Sequence, residues 1–95
     1  MFEWDGRKAA VNRVKHGVSF EEAATVFADP DALDGPDLRH SEEESRFLRL
    51  GRAATGRVLI VAHTVRREVD GESIRIISAR RASRKERAAC AASRD

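Results

Sequence analysis

The feature that most constrains this chain is an Asp-Gly pair, Asp70-Gly71, set between two apolar segments. Residues 57–65, "RVLIVAHTV", are almost continuously apolar, the pattern of a central strand covered on both faces. Residues 73–81, "SIRIISARR", alternate: Ile74, Ile76, Ser78 and Arg80 fall on one face, Arg75, Ile77, Ala79 and Arg81 on the other. Asp-Gly between two such runs signals a β-hairpin. A further alternating segment, residues 45–53, "SRFLRLGRA", predicts a third strand, with Phe47 on one side and Leu48 and Leu50 on the other.

The first half is patterned differently. "FEWD" reads as a short strand with Phe2 and Trp4 facing one way, and Asp5 is suited to cap a helix running to about His16, with Gly17 following its end. In that helix Val11 and Val14, with Ala10, supply an apolar stripe, while Lys8, Asn12 and Lys15 lie on another face. "SFEE" opens a second helix through a reciprocal capping box of Ser19 and Glu22, and Phe20, Ala23, Ala24 and Phe27 share its apolar face. Residues 28–44 are rich in Asp, Pro and Gly and predict a long loop. Ser83 and Glu86 form a second capping box, starting a helix through "RKERAACAA". The reading is an α+β fold: an N-terminal helical hairpin packed on an antiparallel sheet of three to four strands, with a C-terminal helix.

Ninety-five residues suffice for one core, so a single domain over 1–95 is expected. The net charge of +2 conceals a division. Residues 1–45 carry 5 basic and 11 acidic side chains, a balance of −6; residues 46–95 carry 13 and 5, a balance of +8. A basic second half recruits polyanions whatever the total charge. No segment has the length or apolarity of a membrane span, and the N-terminus lacks the apolar region of a secretory signal. The single cysteine, Cys90, excludes an internal disulfide framework and fits a reducing compartment. A cytoplasmic protein without membrane contact is expected.

Three scattered histidines and one cysteine offer no metal-ligand spacing, and no glycine-rich phosphate loop is present. Neither metal nor cofactor is expected. Arginine chemistry is better supported. Arg80 ends a strand, Arg84 and Lys85 open the next helix, and a helix N-terminus itself attracts phosphate. The alternative is a solvated basic helix. His63 ends the apolar strand, and its imidazole has two readings: a hydrogen-bonded structural residue, or a base sharing one sheet face with Arg80. His16 stands at a helix end, where capping explains it, and His40 lies in the acidic loop.

Several stretches, in order, resemble the BrnT family of type II toxin–antitoxin toxins, whose fold is grouped with the RelE/ParE-like ribonuclease toxins. They are "FEWD" with Lys8 and Ala9, Asn12 followed by "KHGVSFEEA", "HSEEESR", "AHT" with Arg66, and "RIISARRAS" with Glu86. The resemblance implies a metal-independent endoribonuclease that arrests growth until a cognate BrnA-like antitoxin binds it in a hetero-oligomer. Such a complex would reach DNA only through the antitoxin. It implies attack by a ribose 2′-OH on the adjacent phosphate, with Arg80 holding that phosphate, Arg66 or Lys85 assisting and His63 as base. Arg46, Arg49, Arg81 and Arg84 would position the RNA backbone. The family pattern often has a tyrosine near the position of Cys90, so this chain departs from it there. A non-catalytic nucleic-acid-binding module and a pure protein-interaction partner are the competing expectations.

Overall fold

The computed structural model describes residues 1–39 and 45–92. Its elements are β1 (Phe2–Glu3), α1 (Gly6–His16), α2 (Phe20–Thr25) continued by a 3-10 turn (Val26–Ala28), β2 (Leu33–Pro36), β3 (Phe47–Arg52), β4 (Val58–Glu68), β5 (Gly71–Arg81) and α3 (Arg84–Ala92). The five strands form one mixed sheet in the order β1-β5-β4-β3-β2, with β1 parallel to β5 and the other pairs antiparallel. The expectation of three to four antiparallel strands is thereby corrected. The added strand is β2, within the segment read as loop. It lies at the sheet edge, where Pro36 is tolerated, and pairs Leu33 with Leu50 and Pro36 with Phe47. His40 and the acidic run after it, through residue 44, lie outside the described residues.

Helices α1 and α2 cover one face. Val18, Phe20, Ala23 and Val26 pack with Leu59, Val61, Ile76 and Ala79, and Trp4 meets Phe20 edge-on at 6.0 Å. Asp5 caps α1 by accepting from the Arg7 and Lys8 N–H groups, and Gly17 ends it in the left-handed conformation at φ 68°. The rotation of α1 differs from the expected one. Asn12 is buried and Ala9 packs inward, whereas Val11 and Val14 are 59% and 91% exposed.

Asn12 turns inward because β5 needs it there. Among the described residues β1 pairs only with Ile74 and Arg75, so β5 has no strand partner on that side beyond them. Asn12 takes a strand's place: its amide donates to the Ala79 carbonyl at 2.8 Å and accepts from the Ala79 N–H at 3.1 Å. A third bond to the Val18 carbonyl, at 2.9 Å, ties in the segment after α1. The side chain thus satisfies backbone groups that an edge strand would otherwise bury unpaired.

The β4–β5 hairpin forms around a turn at Val69 and Asp70, with Glu68 opposite Gly71. Among the described residues no non-glycine residue has positive φ; Gly71, at φ 129°, takes that role one position later. Further along, the register shifts between Ala62 and His63, which face Ser78 and Ile76 and leave Ile77 as an extra residue. This bulge reverses the expected alternation. Ile74, Ile76, Ala79 and Arg81 fall on the helix face, while Ser78 and Arg80 turn to the opposite one.

Candidate active site

The bulge decides which side chains meet. Past Ile77, Ser78 and Arg80 stand beside Ala62 and Ile60, on the sheet face away from α1 and α2. There they line a cleft of about 220 Å³ with Leu48, Ala79, His16 from the end of α1, and Asp37 and Arg39 from the segment after β2. Three elements distant in sequence therefore bring an imidazole and two guanidiniums to one depression.

Arg80 is held end-on. Its Nη1 and Nη2 donate to the two carboxylate oxygens of Glu86 at 2.9 Å each, and Nη1 also reaches the Arg81 carbonyl at 3.3 Å. These bonds use three of the five N–H groups of a guanidinium, leaving the Nε edge among the described contacts. Glu86 is itself fixed by both halves of the capping box: the Ser83 N–H donates to it at 2.8 Å, and its own N–H donates to Ser83 Oγ at 3.2 Å. The Arg80 guanidinium, chiefly, and the Ser83 bonds pull the Glu86 carboxyl down to about 2. Glu86 is therefore a permanent anion at neutral pH, and it raises the pKa of Arg80 in turn. Such a pair leaves Arg80 charged, oriented and 46% exposed in its side chain.

The remaining residues singled out by sequence are dispersed. Lys85 and Arg84 are exposed in the first turn of α3, next to Glu86. Arg66 lies on the hairpin opposite Ser73, six residues along β4 from the Arg80 register, or roughly 20 Å at ~3.3 Å per residue. Arg81 points to the helix face, where its charge lowers the pKa of Glu22. Arg46 is half-buried, and its carbonyl accepts from the Asp37 N–H at 2.8 Å. Arg49 is drawn into the fold. Its Nε donates to Val26 O at 3.2 Å, Nη2 to Asp29 O at 3.1 Å and Nη1 to Asp34 at 2.7 Å, and its guanidinium lies 5.2 Å from the Phe27 ring centroid.

His63 and Arg80 do not share a face. His63 lies opposite Ile76 on the helix face, 4% exposed, with ring centroids 4.7 Å from Phe27 and 6.0 Å from Phe47. Its Nδ1 is 3.2 Å from the Val61 carbonyl, and burial pushes its pKa down, so it is a neutral imidazole at pH 7. The hairpin register at the turn would put His63 and Arg80 on one side; the Ile77 bulge separates them. The imidazole in the cleft is His16, which sequence reasoning assigned to capping. The signal for it was its place just before a left-handed glycine, where the chain turns and its side chain is half-buried.

Among the described residues no group of three or more His, Cys, Asp or Glu side chains is gathered to hold a metal ion, and no helix is long and apolar enough to cross a membrane. Cys90 is a buried free thiol.

Comparison with known proteins adds two findings. The crystal structure of the Brucella abortus ribonuclease toxin BrnT superimposes with a TM-score of 0.63, over 88% of this chain and 99% of that one, at 24% identity; the likeness is one of fold. No curated protein sequence matches. The family model for BrnT, the ribonuclease toxin of type II toxin–antitoxin systems, matches residues 4–86, from Trp4 through the Glu86 that holds Arg80. The chain belongs to the BrnT family of ribonuclease toxins.

Proposed function

We propose that residues 1–95 form one toxin domain, of RelE/ParE-like type, that cleaves RNA in the cytoplasm at the Arg80 cleft by transesterification. One observation carries this reading: a guanidinium fixed by Glu86, with its Nε edge uncommitted among the described residues, in a cleft that also holds His16 and Arg39. In this reading the ribose 2′-oxygen attacks the adjacent phosphorus, the P–O5′ bond breaks, and a 2′,3′-cyclic phosphate and a free 5′-hydroxyl result. His16 accepts the 2′-OH proton. Arg80 and Arg39 stabilise the charge gathered on the phosphoryl oxygens, and Lys85 or water protonates the leaving 5′-oxygen. The nucleophile belongs to the substrate and the stabilising cations to the protein, so the reaction needs no metal. His63, on the other face, takes no part in the proton transfer. Arg66, Arg81 and Arg84 would meet the RNA backbone away from the scissile bond.

Cleavage arrests growth until a BrnA-like protein antitoxin binds the toxin in a hetero-oligomer, which contacts DNA through the antitoxin alone. The test is cleavage of purified RNA with EDTA present and ribosomes absent, by the wild type and by Arg80→Ala and His16→Ala. Cyclic-phosphate ends from the wild type, lost in both variants, support the reading. Equal cutting by all three overturns it.

A further inference from the structure

Helix α1 presents a second surface, whose reading below rests on the toxin–antitoxin function proposed above. Helix α1 carries Arg7, Lys8, Arg13 and Lys15 and no acidic residue. It gives its inward positions to Ala9 and Asn12 and leaves Val11 and Val14 to solvent. An apolar stripe that the fold does not bury is unusual on a small surface helix and marks a contact surface. Beside it runs a groove of about 420 Å³ between α1 and β5, lined by Lys8, Val11, Asn12, Lys15 and the bulge residues Ile77 and Ser78, among others. Lys8, Val11 and Lys15 follow one another at helical spacing, so the groove has an apolar centre and a rim on which Arg7, Lys8 and Lys15 outweigh the carboxylate of Asp5, itself engaged in capping α1.

We propose that this groove seats an acidic amphipathic segment of the protein antitoxin. Apolar side chains of the segment would cover Val11, Val14 and Ile77 while its carboxylates meet Arg7, Lys8 and Lys15. The groove and the Arg80 cleft share His16 and Ser78, so a segment laid along the groove continues over the candidate active site. Binding and inhibition would thus be one event. RNA fits the groove less well, because its centre is aliphatic, Val11 and Ile77, and the ring in its lining, His16, stands at the end shared with the Arg80 cleft. A second copy of this chain fits less well too, since a two-fold contact through α1 would set like charges against each other.

The experiment uses the full chain and its cognate antitoxin, with Val14→Asp and the double variant Lys8→Glu/Lys15→Glu. Calorimetry measures antitoxin affinity, RNA cleavage is measured without antitoxin, and sedimentation gives the oligomeric state. All three substituted side chains are exposed, and melting curves verify the fold. The expected result is antitoxin affinity at least about tenfold weaker in both variants, with free cleavage within about twofold of wild type. Unchanged affinity overturns the proposal. Equally, cleavage lost without antitoxin would give the groove to RNA, and a wild-type self-association lost in the variants would give it to a second copy. If the wild type cuts no RNA, the proposed activity fails, while the calorimetry still decides the groove.

Discussion

Two helices of this protein begin with the same signature, Ser-x-x-Glu, and use its glutamate in different ways. At α3 both halves of the capping box form, and Glu86 in addition grips Arg80. At α2 only Ser19 caps, accepting from the Glu22 N–H at 3.0 Å. The Glu22 carboxylate turns away to Arg57 and Thr55, in the β3–β4 turn, and Arg57 also donates to the Gly17 carbonyl at 3.0 Å. The Glu22 side chain is only 10% exposed and Arg57 33%, against 28% and 46% for Glu86 and Arg80. The first pair fastens the α1–α2 junction to the sheet. The second fixes a cation at the mouth of a cleft. The local motif announces a helix start; what its carboxylate does beyond that depends on which arginine the tertiary fold delivers.

Breaking each pair on its arginine side should separate the two roles most widely. Arg80→Ala is expected to slow RNA cleavage about 10²–10³-fold, the usual loss when one fixed donor to developing charge is removed. Its melting temperature should change little, because exposed ion pairs contribute only about 0–1 kcal/mol. Arg57→Ala should do the reverse. It strands a mostly buried carboxylate and costs about 1–3 kcal/mol of stability, while the folded fraction cleaves RNA at the wild-type rate. Cleavage rates beside melting curves decide; a rate loss in Arg57→Ala matching that in Arg80→Ala would move the active site to the helix face.

A gentler substitution sharpens the contrast. Glu86→Gln keeps an acceptor for the Ser83 N–H but loses the charge that holds Arg80 end-on. Misorientation of a single group should lower cleavage about tenfold, less than deletion of Arg80 does. Glu22→Gln should leave the rate unchanged and lower only the melting temperature.

Much of this architecture was legible in the chain. Long-period features, such as the apolar run of β4, the Asp-Gly turn and both helix starts, depend on local chemistry that sequence displays. Three features depend on tertiary context and were not. Strand β2 hides among Asp, Gly and Pro, because an edge strand of four residues needs little β propensity once Arg49 and Asp34 pair across it. Helix α1 rotated away from its valines because the backbone of Ala79 needed Asn12 more than the core needed Val11. The bulge had a faint signal in the adjacent Ile76 and Ile77, two apolar residues where strict alternation allows one. Missing it moved Arg80 to the wrong face and paired it with His63 instead of His16. The neighbours of Arg80 in the cleft follow from that bulge and not from any local motif.

Acid titration tests the comparison with the smallest perturbation. Both carboxyls are depressed in the folded protein, Glu86 from 4.5 to about 2 and Glu22 in the same direction, each chiefly through its arginine. A depressed carboxyl stabilises the fold fully above its unfolded pKa, and that contribution is lost as pH falls through the folded pKa. The stability gap between wild type and Glu86→Gln should therefore be flat above about pH 5 and close between there and about pH 2. Removing each arginine tests that cause. In Arg80→Ala, Glu86 loses its chief partner and keeps the Ser83 bonds against its burial, so its carboxyl should rise. In Arg57→Ala, Glu22 loses its chief partner and keeps the Thr55 bond and the charge of Arg81 against its burial, so its carboxyl should rise. Carboxyl NMR titrations of the two variants read this directly. A carboxyl that stayed where it was in its variant would mean that its arginine is not what holds it down, and that the two capping sites differ in their forces and not only in their place in the fold.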